Sequence, residues 1–112
     1  MSELKNIRNL IENKKLHEAD LALKKLGPEY LKNAEYLILR SIMFKIQKNH
    51  YLSIDTLLIA SEFEEREEIY RLLSEIYSYL ENKELAKKLS DRATAHSTLN
   101  ELKNQMSGIY RK

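Results

Sequence analysis

Cysteine is absent from the 112 residues, which excludes a disulfide framework and any thiolate metal site. Valine, the commonest strand former, is also absent, and there are only two glycines and one proline, so little in the chain interrupts a helix. No sign of charge dominates. Nineteen basic residues are interleaved with 17 acidic ones, for a formal charge of +2 and a pI near 8.7, a balance too mild to imply nucleic acid as a partner. Apolar runs are short: the longest has four residues, as at Tyr36–Leu39, where a membrane-spanning helix needs about 20. The opening Met-Ser-Glu-Leu-Lys-Asn has no basic run leading into an apolar stretch and is not expected to be a signal peptide. A cytoplasmic location without membrane contact is the expectation.

Chemistry-bearing constellations are equally scarce. His17, His50 and His96 share no short spacing, whereas a metal site needs three or four converging ligands. His50 is expected in an exposed turn and His96 as a partly buried residue of a second helix. The glutamates fall on solvated helix faces, with no pair set in an apolar pocket of the kind that general acid–base work requires. Glycine-rich phosphate loops and nucleophile motifs are missing, and the seven tyrosines recur at helical spacing, which makes packing their commoner role. No enzyme, cofactor or metal is expected.

What the chain does contain is helix-forming. Charged residues make up 32% and hydrophobic residues 43%, with leucine, lysine, glutamate and alanine prominent. The fold class expected is all-α, and the length allows one domain. The most apolar stretch is Ala34 to Phe63: Tyr36–Ile46 and Tyr51–Phe63, joined by the polar turn Gln47-Lys48-Asn49-His50. A helix that is apolar all round must be covered on more than one face, so this pair is expected at the centre.

In chain order, Ser2 can cap a first helix with Glu3 in its first turn, and Leu4, Ile7, Leu10 and Ile11 share one face. After Asn13-Lys14-Lys15 a second helix carries Leu16, Ala19, Ala22, Leu23 and Leu26. Gly27-Pro28 is expected to end it, glycine by a left-handed conformation and proline because it cannot continue the helix. An irregular piece, Glu29 to Asn33, follows. Beyond Phe63 the run Glu64-Glu65-Arg66-Glu67-Glu68 reads as the solvated start of a helix. One half of its wheel holds Ile69, Tyr70, Leu72, Leu73, Ile76, Tyr77, Tyr79 and Leu80; the other holds Glu67, Glu68, Arg71, Ser74, Glu75, Ser78 and Glu81. Asn82-Lys83 turns the chain into a helix burying Leu85, Ala86, Leu89 and Ala93. Thr98-Leu99-Asn100-Glu101 fits a capping box and a fresh start, followed by Leu99, Leu102, Met106 and Ile109 on one face, with Gly108 near the end. The expected hairpins are 3–26, 34–63 and 66–97, with a final helix at 98–110.

The hairpins recur. Ile11-Glu12-Asn13-Lys14-Lys15-Leu16 returns as Ile46-Gln47-Lys48-Asn49-His50-Tyr51 and as Leu80-Glu81-Asn82-Lys83-Glu84-Leu85, at spacings of 35 and 34 residues. Two further series, Ala19, Ser53, Ala86 and Leu26, Ala60, Ala93, are spaced 34 and then 33. A helical hairpin repeated at a period near 34 resembles the tetratricopeptide repeat family. Tyr70, Leu73, Tyr77, Leu80, Ala86 and Ala93 stand at that family's large and small positions. Ser74 stands where glycine is usual, the middle copy needs an inserted residue, and Arg40 occupies or borders a position that is normally small.

The resemblance implies a right-handed array with the first helix of each hairpin along a concave surface, suited to an extended or helical protein segment. In the third repeat that surface would present Glu68, Arg71, Glu75, Ser78 and Tyr79. In the middle repeat two registers stand open: Leu37, Ser41, Phe44 and Lys45, or Ile38, Ile42 and Ile46. More narrowly, the chain is similar to the small tetratricopeptide-like chaperones of type III secretion needle subunits. The likeness lies in His17-Glu18-Ala19, in the run Leu39 to Tyr51, and at the end from Ala93-Thr94 through Gly108-Ile109-Tyr110-Arg111. That family keeps the needle subunit from polymerising by holding its amphipathic helix in an apolar groove, with a small helical co-chaperone. The lysine, asparagine and isoleucine content fits an AT-rich bacterial genome. Other readings carried forward are a generic scaffold, a homodimer through the apolar hairpin, and an RNA-binding repeat using Lys14-Lys15, Lys24-Lys25 and Lys87-Lys88. Acidic neighbours beside each lysine pair disfavour the last.

Overall fold

One turn, built three times without glycine, organises the chain. Lys14, Lys48 and Glu81 hold the left-handed conformation, with φ of 65°, 67° and 64°. Around each, the same pair of hydrogen bonds closes the preceding helix. Lys15 N–H donates to the Leu10 carbonyl, Asn49 N–H to Phe44 and Asn82 N–H to Tyr77, each at 2.8 Å; Lys14, Lys48 and Glu81 N–H donate to Ile11, Lys45 and Ser78, each at 3.0 Å. These are Schellman C-caps, which satisfy carbonyls that a helix end leaves open. They are spaced 34 and then 33 residues. The structural register is therefore that of the Ala19, Ser53, Ala86 series. The expected alignment of the turn motifs, at 35 and 34, matches residue types and misses the left-handed position.

The computed structural model describes the backbone of residues 3–110 and the side chains of residues 3–106. The described chain is all-α: α1 (Glu3–Glu12), α2 (Leu16–Lys25), a short 3₁₀ helix (Pro28–Lys32), α3 (Ala34–Ile46), α4 (His50–Phe63), α5 (Glu67–Tyr79), α6 (Lys83–Ser90) and α7 (Ala95–Tyr110). The proposed cap Ser2, the terminal Arg111, and the side chains of Ile109 and Tyr110 lie outside the described residues. The contacts divide the chain into two compact units, residues 1–64 and 65–112.

In the first unit α1 packs on α2, and α3 meets α1, α2, the 3₁₀ helix and α4. Being contacted from several sides is what an all-round apolar helix requires: Ile38, Leu39 and Leu57 are wholly buried, and Tyr36, Leu37, Met43 and Leu58 nearly so. Each such side chain contributes about 2 kcal/mol by leaving water. The four buried serine and threonine hydroxyls described in this unit each donate to a backbone carbonyl. Ser41 donates to the Ile38 carbonyl at 2.6 Å, Ser61 to Leu58 at 2.7 Å, Thr56 to Leu52 at 2.8 Å, and Ser53 crosses to the Ser41 carbonyl on α3 at 2.8 Å. That last bond shows how closely the two helix backbones approach.

The link between α2 and α3 differs from expectation. Gly27 is extended, at φ −80° and ψ 179°, so it is no left-handed stop. Leu26 already leaves the helix in extended conformation, and Pro28 begins the 3₁₀ helix, where its missing N–H is harmless. Asn33, expected in an irregular piece, caps α3 by accepting from Tyr36 N–H at 3.0 Å.

In the second unit α5 packs on α6 and α6 on α7. Ile69, Leu73, Ile76 and Leu99 are wholly buried, and Leu72, Leu89 and Leu102 nearly so. Ser74 donates to the Ala86 carbonyl on α6 at 2.8 Å, which gives this serine a role in joining the two helices. Asn82 caps α6 by accepting from Leu85 N–H at 3.2 Å, so Lys83 opens the helix and is not part of the turn. Two boundaries are corrected. Ala93 is exposed in a turn, because Asp91 captures its N–H at 2.9 Å and ends α6 early. The helix that follows runs without a break through Thr98, whose N–H bonds the Thr94 carbonyl at 2.9 Å, so the apparent capping box is helix interior. Thr94 Oγ1 ties the start of α7 to the Lys88 carbonyl at 2.7 Å.

Candidate partner-binding surface

The shared turn and the shared close approach fix which residues correspond. Ser41 with Ser53 and Ser74 with Ala86 are each twelve apart and each joined by a hydroxyl-to-carbonyl bond, as Lys48 corresponds to Glu81 in the turns. An offset of 33 then aligns Glu35 with Glu68, Ile38 with Arg71, Ile42 with Glu75, Lys45 with Ser78, and Ile46 with Tyr79. By this correspondence the row Arg71, Glu75 and Tyr79 of α5 matches Ile38, Ile42 and Ile46 of α3, with Lys45 of the other register opposite Ser78. Arg40 is not at the small position; its guanidinium lies over the Phe44 ring, 5.1 Å from the centroid, a cation–π contact on the helix flank.

Burial separates the expected site residues. Leu37, Ile38 and Ser41 are 8%, 0% and 0% exposed. These three are correspondingly core residues and not groove lining, because α3 is packed by four neighbouring elements. Ile42, Phe44 and Lys45 are half-buried, and Ile46 is exposed at the end of α3. Arg8 on α1 clasps the Glu35 carboxylate with two bonds, at 2.8 and 3.2 Å, at the head of the same row. On α4, Tyr51, Leu52 and Phe63 are exposed large apolar residues, and half-buried Ile59 continues their face at helical spacing.

On α5 the corresponding row is charged and open. Arg71 bonds Glu75 at 3.1 Å and Glu68 at 3.5 Å, and Tyr79 is 58% exposed, so Tyr79 leaves the apolar half of the wheel in which it was expected. Arg71 and Glu75 form part of a cleft of about 460 Å³ within the second unit. Its apolar lining comes from Tyr70, Leu89 and Ala95, and its rim from Glu65, Glu67, Arg92 and His96. Tyr70 Oη donates to Glu65 Oε1 at 3.1 Å, and His96 Nδ1 lies 3.2 Å from the same oxygen. Asn100 Nδ2 lies 3.2 Å from His96 Nε2. Tyr70, Glu65, His96 and Asn100 thus form one chain of contacts. Burial, and then the bond and charge of Glu65, push the Tyr70 hydroxyl up to about 12. Arg92 reaches Glu67 at 3.3 Å with both side chains largely in solvent.

His96 is thus an exposed residue of α7 and not a buried one of a second helix. His50, expected in a turn, is the half-buried first residue of α4. Among the described residues no group of three or more histidines and carboxylates converges as a metal site, and no helix is long and apolar enough to cross a membrane. The cleft residues beyond Arg71 and Glu75 were not legible as a site: Glu65 and His96 are 31 residues apart, and only the charge run at 64–68 marked the place. No protein-family model, curated protein or solved structure matches this chain.

Proposed function

We propose that this chain is a non-enzymatic, protein-binding helical-repeat protein, an adaptor or chaperone that covers an amphipathic helical segment of a partner. The observation that carries this reading is the cleft of the second unit, with an apolar lining from Tyr70, Leu89 and Ala95 inside a charged rim. An apolar centre that a partner side chain can fill, ringed by charges that set orientation, is the anatomy of a recognition site. The thrice-repeated turn supports the tetratricopeptide-like part of the reading. The most concrete occupant is the one the sequence resemblance implies, the amphipathic helix of a type III secretion needle subunit in a bacterial cytoplasm, aided by a small helical co-chaperone. Sequestration then follows from mass action, since covering the helix stabilises the complex over both free partners.

The test is the mass of the complex purified from the native cell at near-neutral pH, with its small proteins sequenced, for the wild type, for Glu75→Ala with Tyr79→Ala, and for Ile42→Glu and Phe44→Glu. One or two small helical partners at defined stoichiometry, lost from a variant that still melts like the wild type, is the expected outcome. A chain recovered alone overturns the reading. A second reading, homodimerisation, is favoured by the exposed row Tyr51, Leu52 and Phe63 on α4; sedimentation at doubled mass, reversed by Tyr51→Glu, would establish it.

A further inference from the structure

The cleft of the second unit carries a charge opposite to that of the chain. Glu65, Glu67 and Glu75 line it against Arg71 and Arg92, in a protein whose formal charge is +2. The two arginines differ in how they are held. Arg71 is fixed between Glu68 and Glu75. Arg92 meets Glu67 with 91% and 88% of the two side chains exposed, a pairing that water and salt screen almost completely. The Glu65 carboxylate takes both Tyr70 and His96 on Oε1 and neither on Oε2. Beside these carboxylates lie the Tyr70 ring, Leu89 and Ala95. Its volume, about 460 Å³, is within the range of sites that enclose a ligand group.

On the protein-binding reading given above, we infer that this cleft takes a partner segment in which a lysine or arginine stands beside an apolar anchor. The cation displaces Arg92 from Glu67 and reaches Glu65, while its alkyl stem and the anchor lie along Tyr70, Leu89 and Ala95. Long basic side chains suit such a place because they bury their methylenes and keep the charge at the rim. Glu67 lies in the first turn of α5 and Glu65 just before it, so both carboxylates line the cleft from the same end of that helix.

Two synthetic helical peptides test this, equal in length and in their leucine face, one with lysines flanking that face and one with glutamates. Each is titrated into the isotope-labelled full chain and followed by amide shifts. The lysine peptide is expected to bind about tenfold tighter, with shifts centred on Glu65, Tyr70, Leu89 and His96. The preference should fall with salt and vanish in Glu65→Gln with Glu67→Gln, while Glu84→Gln with Glu101→Gln leaves it unchanged. Glutamine keeps an acceptor for Tyr70 and His96, so the fold is retained, which circular dichroism checks. Equal or tighter binding of the glutamate peptide at the cleft, shifts confined to another surface, no binding of either peptide, or indifference to the Glu65 and Glu67 changes each overturns the assignment. All four leave the protein-binding reading standing; that reading fails only if the native chain is recovered alone.

Discussion

Helices α3 and α5 open hairpins closed by the same turn and crossed by the same kind of serine bond, yet their corresponding faces are put to opposite uses. Where α3 has Ile38, wholly buried, α5 has Arg71 at the mouth of a cleft. Where α3 has Ile42, half-buried, α5 has Glu75, open to solvent. The second helices differ as well: α4 runs for 14 residues with seven of them buried, whereas α6 runs for eight with two buried. The hairpin is thus specified by few positions, namely the left-handed turn residue, the small residues at the helix crossing, and the apolar stripe. The rest of the first helix is free to become core in one unit and surface in the other.

The sharpest way to break this comparison is to truncate corresponding residues. Ile38→Ala removes a wholly buried side chain and should destabilise the chain by about 3 kcal/mol. Arg71→Ala, 33 positions later, loses only exposed ion pairs and should change stability by less than about 0.5 kcal/mol. Urea unfolding of the two variants decides it. Similar losses would mean that the α5 row is core as much as the α3 row.

A smaller effect tests the shared crossing. Ser53→Ala removes a fully buried hydroxyl bond between helices and should destabilise by about 1 kcal/mol. Ser74→Ala removes the counterpart bond, which is only part-buried, and should cost less. A larger loss at Ser74 than at Ser53 would show that the crossing in the second unit depends on its hydroxyl more than its burial implies. The same unit has a pH signature. Because the folded-state Tyr70 hydroxyl is pushed up to about 12 from its ordinary 10, the folded state keeps its proton where the unfolded chain loses it. The resulting stability is full below pH 10 and lost as pH rises through about 12. Thermal melts across that window should fall more steeply for the wild type than for Tyr70→Phe, and parallel curves would sever the link to Glu65.

These comparisons also show where the sequence was readable. The helices α1, α2 and α5 follow from apolar spacing, which is a local signal set by the 3.6-residue period, whereas α3 and α4 follow from two apolar segments parted by the polar turn Gln47-Lys48-Asn49-His50. The end of α6 does not, because Ala93 keeps the stripe going on paper while Asp91 takes over its N–H. Gly27-Pro28 was legible as a break, but not as an extended residue followed by a 3₁₀ turn, since proline permits both. Arg71, Glu75 and Tyr79 are named through the family resemblance, which sets the first helix of a hairpin along the binding surface; the helical wheel by itself puts Arg71 and Glu75 on the polar half and Tyr79 on the apolar one. Leu37, Ile38 and Ser41 could not be placed, because an all-apolar helix does not reveal from its own sequence how many neighbours cover it. The network around Glu65 joins residues remote in sequence, and no local pattern announces such a pair.

The smallest expected effect concerns what the two units have in common. Lys48 and Glu81 sit at φ of 67° and 64°, where a side chain's Cβ is strained and glycine is not. Glycine loses more entropy on folding, but at a Schellman position the relief of strain prevails, which is why it is the residue most often found there. Lys48→Gly and Glu81→Gly should therefore each stabilise the chain by about 0.5 kcal/mol, seen as a small upward shift of the unfolding midpoint, with the helical signal unchanged. Lys48→Ala and Glu81→Ala should give nothing of the kind, since alanine keeps the Cβ. Gains of similar size at both turns would mean that one backbone device closes both hairpins whatever their faces do. A gain at one turn and a loss at the other would mean that the lysine or glutamate side chain itself holds its turn, and the equivalence on which the alignment of Ile38 with Arg71 rests would have to be drawn from the serine crossings alone.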